Sequence, residues 1–220
     1  MKILQLILAI FCCAAVAAQD APPFYEEIQT FKKQDSASFP PKNAILFVGS
    51  SSFTFWTDVQ DYFPGYTIIN RGFGGSTLQD VIRYAPDIIT PYKPKQVVIY
   101  CGENDLAYDD SVTPWQVLQR FKTLFTIIRK AYPAVPVAYV SMKPSPSRKH
   151  LLLKMTEANL YIETFLKKQK QAVFIDVYHS MVDTKGEPLP QIFIEDNLHM
   201  NAAGYRIWQL LIQPHLLNTP

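Results

Sequence analysis

Five short apolar runs alternate with segments of helical periodicity, and this alternation constrains the fold more than any other feature of the chain. The runs are "AILFV" (44–48), "TIIN" (67–70), "QVVIYC" (96–101), "PVAYVS" (136–141) and "AVFID" (172–176). "LQDVIRYA" follows the second, "PWQVLQRFKTLFTIIRKA" the third and "LLKMTEANLYIETFLKKQ" the fourth. "AAGYRIWQLLIQPHL" closes the chain, and "PPFYEEIQTFKKQDSASFPPK" reads as a short helix with an irregular approach to the first run. Continuous apolar strands that alternate with helices predict a parallel sheet covered on both faces. The expected fold class is therefore α/β: a single three-layer, doubly wound (flavodoxin-like) domain with a mostly parallel five-stranded sheet. Most of the 17 prolines fall between the runs, as loops require.

A chain of 220 residues suffices for one well-buried core and is short for two. Apolar residues make up 48% and charged residues 18%, an ordinary globular balance. A net charge of +2, dispersed along the chain, argues against nucleic acid as a partner.

Residues 1–18 read as a secretory signal. Lys2 is the only charge before Asp20, "ILQLILAIF" is a short apolar core, and "CCAAVAAQD" offers small residues for cleavage near Ala18. The apolar run is too short to span a bilayer comfortably, so no stable membrane anchor is expected. Residues 19–220 would then form the functional domain, secreted or periplasmic, with a net charge of about +1 once Lys2 is gone. Cys12 and Cys13 would leave with the signal, and Cys101 alone cannot form an internal disulfide. At the end of an apolar run it reads as a small buried hydrophobe.

In open α/β sheets, sites form beyond the carboxyl ends of the strands. After the five runs come "GSSSF", "RGFGGST", "GENDL", "KPSPSRKH" and, at some distance, "IEDNLHMN". Serine after a strand suits an N-cap and equally a nucleophile whose developing charge meets backbone N–H groups. The residues alone do not choose among Ser50, Ser51 and Ser52. The stretch lacks the G-x-S-x-G elbow of α/β-hydrolases. The glycines of "RGFGGST" let N–H groups converge on an anion, or simply make a tight turn. The block misses the dinucleotide fingerprint because Thr77 stands at its last position. Asn104 in "GENDL" offers an amide to an oxyanion, or marks a turn. Asp196 and His199 are three apart, so a carboxylate can orient an imidazole. The spacing is weak by itself, since Asp176 and His179 repeat it. Lys143, Arg148 and Lys149 read as solvated loop cations, and Phe53, Phe73 and Tyr108 as core or as pocket lining.

Taken together and in this order, the blocks resemble those of the SGNH, or GDSL-like, serine hydrolases. The resemblance runs from about Ala44 to the last helix. It implies that Ser51 is the nucleophile, His199 the general base and Asp196 its orienting acid. It implies an oxyanion hole made by Ser51, Gly75 and Asn104. Ser50 stands where the family's best-known motif has Asp, which removes a carboxylate but no member of that constellation. The resemblance also implies a carboxylic ester hydrolase that works without cofactor or metal. Its expected partner is a small-molecule or carbohydrate ester, with short-chain acyl or carbohydrate O-acetyl esters foremost. Lysophospholipase or thioesterase-type activity is an alternative, and so is a non-catalytic carbohydrate- or phosphate-binding module on the same fold.

Overall fold

The computed structural model describes residues 21–218. The signal read at 1–18, with Cys12 and Cys13, lies outside the described residues. Among those described, five strands form one sheet: β1 (Ile45–Gly49), β2 (Ile68–Gly72), β3 (Gln96–Tyr100), β4 (Val137–Val140) and β5 (Ala172–Ile175). Their order is β2-β1-β3-β4-β5, and every pairing is parallel rather than mostly so. This is the flavodoxin-like order.

The helices are α1 (Tyr25–Ala37), α2 (Ser51–Thr54), α3 (Val59–Tyr62), α4 (Leu78–Ile88), α5 (Glu103–Ala107), α6 (Pro114–Ala131), α7 (Leu152–Leu166) and α8 (Ala202–Ile212). The long ones follow the periodic segments, and α6 matches its segment end to end. Thr113 and Gln116 form a capping box with Pro114 in the first turn, which is why α6 begins there. The three short helices escape sequence reading because four or five residues carry no period. Tertiary contacts hold them instead of helix propensity. In α2, Phe53 is fully buried, its ring 4.9 Å from Phe47 and 6.0 Å from Trp208. Burying such a ring contributes roughly 2–3 kcal/mol.

Strand side chains alternate between two cores. Leu46, Val48, Val97 and Ile99 face the helices α1, α4, α6 and α7. Ile45, Phe47, Val98 and Tyr100 face α2, α3 and α8. β1, β3 and β4 are buried throughout, which accounts for their unbroken apolar runs. No helix among the described residues is long and apolar enough to cross a membrane.

From β1 the chain turns to β2 on one side and then crosses to β3 on the other. The crevice beyond β1 and β3 is the topological switch point. Gly49 lets the two strand ends close there. Its φ is +139°, and a Cβ on it would fall 1.9 Å from the Tyr100 carbonyl oxygen. Ser50 N–H donates to that oxygen at 2.9 Å.

Candidate active site

Ser51 opens α2 directly beyond β1, with Ser50 extended before it. The loop from residue 193 to 200 lies beside it. Phe193 and Met200 bridge antiparallel, and Asn197 turns the chain with φ of 56°. Asn201 fixes the end of this loop. Its side chain accepts from Ala203 and Gly204 N–H at the start of α8 and donates to the Gln191 and Phe193 carbonyls. His199 Nε2 thereby comes to 2.9 Å from Ser51 Oγ, and His199 Nδ1 to 2.6 Å from Asp196 Oδ2. The other carboxylate oxygen of Asp196 accepts from the N–H groups of Leu198 and His199, both at 2.9 Å. Partial burial alone would push the Asp196 carboxyl up. The hydrogen bonds from the His199 ring and from both backbone groups outweigh that and hold it below the ordinary carboxylate range.

The polarity of this chain follows from the carboxylate. An ionised Asp196 only accepts, so the proton sits on His199 Nδ1. Nε2 then presents a lone pair to Ser51, whose hydroxyl donates to it. Phe55 stacks on the imidazole, 4.2 Å between centroids and 19° between planes. The imidazole is only 14% exposed. Nothing in the residue pattern marks Phe55 for this place.

Gly75 and Asn104 converge from the neighbouring strand ends. Gly75 has φ of +70°, which favours glycine. The Asn104 amide nitrogen donates to Ser50 Oγ at 2.7 Å and to the Ser76 carbonyl at 3.0 Å. The serine that replaces the usual Asp therefore braces this loop by accepting from Asn104. Asp105, inside α5, is a tie: it accepts from Leu78 N–H at 2.8 Å and from Arg120 at 2.7 Å. This joins α5 to the end of the glycine loop.

Two sequence expectations change here. Lys143 and Arg148 are not solvated. Lys143 is 1% exposed, and Arg148 is 11% exposed. Both hold the buried Glu103: Lys143 Nζ lies 3.2 Å from its Oε2, and Arg148 donates to its main-chain carbonyl at 3.2 Å. The Tyr100 hydroxyl donates to Glu103 too. Burial raises the Glu103 carboxyl, but the two cations overcome it and set it below its usual range. Lys149 alone is solvated, paired with Glu187 at the surface. Phe53 and Phe73 are core, whereas Tyr108 is exposed. Asp176 and His179 do form the local geometry of the other pair, at 2.5 Å, but the imidazole is 79% exposed at the end of the edge strand β5. Cys101 is buried as expected, and burial pushes its thiol well up.

The sequence reading missed α1 altogether as part of the site. Glu27 accepts from Gly74 N–H at 3.2 Å, and the Phe24 ring meets Phe73 edge-on at 5.3 Å. Residues so far away in sequence carry no local sign of this contact.

Comparison with known proteins agrees with the architecture. An isoamyl acetate-hydrolyzing esterase of Schizosaccharomyces pombe (strain 972 / ATCC 24843) is 26% identical over 144 residues, 62% of this chain. The match spans 56% of that relative's length. A GDSL-like lipase from Bacteroides thetaiotaomicron VPI-5482 superposes with a TM-score of 0.74 at 21% identity, covering 86% of this chain and 96% of the other. An acetyl-xylooligosaccharide esterase from Geobacillus Stearmophilus gives 0.62 at 14% identity, over 78% and 93%. At these identities the two structures speak for the fold. The GDSL-like Lipase/Acylhydrolase family profile matches residues 47–207, and the chain belongs to that family.

Proposed function

We propose that this protein hydrolyses carboxylic esters of short acyl groups through Ser51, His199 and Asp196. The observation that carries the reading is the unbroken chain from Ser51 Oγ through the imidazole to the Asp196 carboxylate, at 2.9 and 2.6 Å. His199 takes the Ser51 proton as Oγ attacks the ester carbonyl, and Asp196 stabilises the imidazolium that forms. The N–H groups of Ser51 and Gly75 and the Asn104 amide receive the oxyanion. Both Asn104 amide hydrogens are engaged in the resting site, on Ser50 Oγ and on the Ser76 carbonyl, so the bond to Ser50 gives way to the charge as it develops. Each such donor is worth on the order of 3 kcal/mol in the transition state. His199 then protonates the departing alcohol, and water activated by the same imidazole releases the acid from the acyl-enzyme.

The acetyl esters named for the yeast relative and for the Geobacillus structure support a short acyl group, on a simple alcohol or on a sugar. The short apolar run and small residues within 1–18, read as a secretory signal, support action outside the cytoplasm. Hydrolysis of 4-nitrophenyl acetate, butyrate and octanoate by wild type and Ser51→Ala tests the reading. Activity on acetate that disappears in the variant is the expected result. Equal rates in both proteins would remove Ser51 as nucleophile.

A further inference from the structure

Tyr108 differs from Phe53 and Phe73, the buried aromatic residues of the neighbouring strand-end blocks. It is 63% exposed, so burial does not hold its ring. Position and charge hold it instead. Tyr108 lies four residues beyond Asn104 and donates its N–H to the Asn104 carbonyl at 3.0 Å, so both side chains leave the same side of one helical turn. The Arg148 guanidinium carbon is 6.0 Å from the ring centroid, and Arg148 is itself fixed on Glu103. The hydroxyl end reaches across to Gly75: a Cβ placed there would lie 2.8 Å from Tyr108 Oη and 4.0 Å from its Cζ. One exposed phenol thus spans the two strand-end blocks that carry Gly75 and Asn104.

The stereochemistry of attack gives this position a meaning. The carbon attacked by Ser51 carries four groups. One is Ser51 Oγ. The oxyanion turns toward Gly75 and Asn104. The leaving oxygen must reach His199 Nε2 to take its proton, which directs the alcohol to the imidazole and to Phe55 stacked on it. The acyl chain takes the remaining direction, away from His199 and out past the solvent side of the Gly75 loop, where the Tyr108 phenol stands over Gly75. We infer that Tyr108 is the wall of the acyl pocket and sets the length of acyl group accepted: acetyl clears the phenol, and longer chains run into it.

This rests on Ser51 being the esterase nucleophile, and the experiment separates the two. kcat/KM is measured on 4-nitrophenyl acetate and butyrate for wild type, Tyr108→Phe and Tyr108→Ala, with Tm recorded for each. Two extra methylenes against a wall correspond to at least about a tenfold discrimination. The butyrate-to-acetate ratio is expected to rise by about that factor in Tyr108→Ala and to stay at the wild-type value in Tyr108→Phe, which keeps the ring. Tyr108→Leu repeats the test should the alanine variant lose its Tm. An unchanged ratio in the truncated variants, with acetate activity intact, would overturn the inference about Tyr108 alone. A wild type that prefers butyrate would do the same. A wild type inactive on both esters would refute the Ser51 reading and this inference with it.

Discussion

At the scale of single residues, the site turns on where one proton sits. Asp196 accepts three hydrogen bonds, two from backbone and one from His199 Nδ1. Asp196→Asn keeps the shape but offers a donor to Nδ1, which favours the wrong imidazole tautomer. kcat on 4-nitrophenyl acetate is expected to fall on the order of 10⁴-fold, the scale seen when a serine protease triad is altered in this way. The same change has a signature in stability. The folded-state carboxyl of Asp196 lies below its unfolded value. Its stabilisation is therefore complete above about pH 4 and is lost as pH falls through the folded value. The Tm gap between wild type and Asp196→Asn should be widest near neutral pH and close in acid. A gap that widens in acid would contradict this assignment of the shift.

At the scale of elements, α1 acts on the site through the glycine loop. It covers one side of the sheet with Ile28 and reaches Gly74 with Glu27. Glu27→Ala removes one exposed hydrogen bond, worth about 1 kcal/mol, or about 2–4 °C of Tm in a chain this long. If Glu27 holds the glycine loop in a position the reaction needs, kcat should drop about tenfold, the equivalent of about 1.4 kcal/mol in the barrier. Steady-state kinetics beside thermal melts would decide: a lower Tm with kcat unchanged would make α1 a cover only. The two Asp-x-x-His pairs teach the same lesson about elements. Their local geometries agree, yet only the pair before α8 lies beside the β1 end. Spacing makes the acid–base pair, and the place of its loop in the sheet decides which serine it meets.

At the scale of the whole molecule, the buried charges behind the site tie the ends of β3 and β4 together. Lys143 follows β4, Glu103 begins α5, and Arg148 closes the group from the following loop. Burial lowers the Lys143 ammonium, and Glu103 pulls it back. Removing one member of a buried pair leaves the other uncompensated, at about 3–5 kcal/mol. Lys143→Met should lose that much in urea unfolding. Lys149→Met, whose partner Glu187 is in water, should change stability by less than about 0.5 kcal/mol. Similar losses for both would show that the cluster is not held as a buried network.

By itself the sequence determined the strands, the long helices and the parallel sheet, because buried strands and amphipathic helices write their periods locally. Its local spacing also formed the Asp196–His199 pair, as it formed Asp176–His179, since each depends on neighbours three residues away. Residue pattern left three serines open and the family resemblance pointed to Ser51; the tertiary structure brings that serine to the imidazole, a contact across 148 positions. It decided that Ser50 braces Asn104 and that Glu27 reaches the glycine loop. It decided that Lys143 is buried and Tyr108 exposed, against what cation and aromatic residues lead one to expect. Those outcomes depend on which strand ends lie side by side, and strand order is set by the packing of the whole chain.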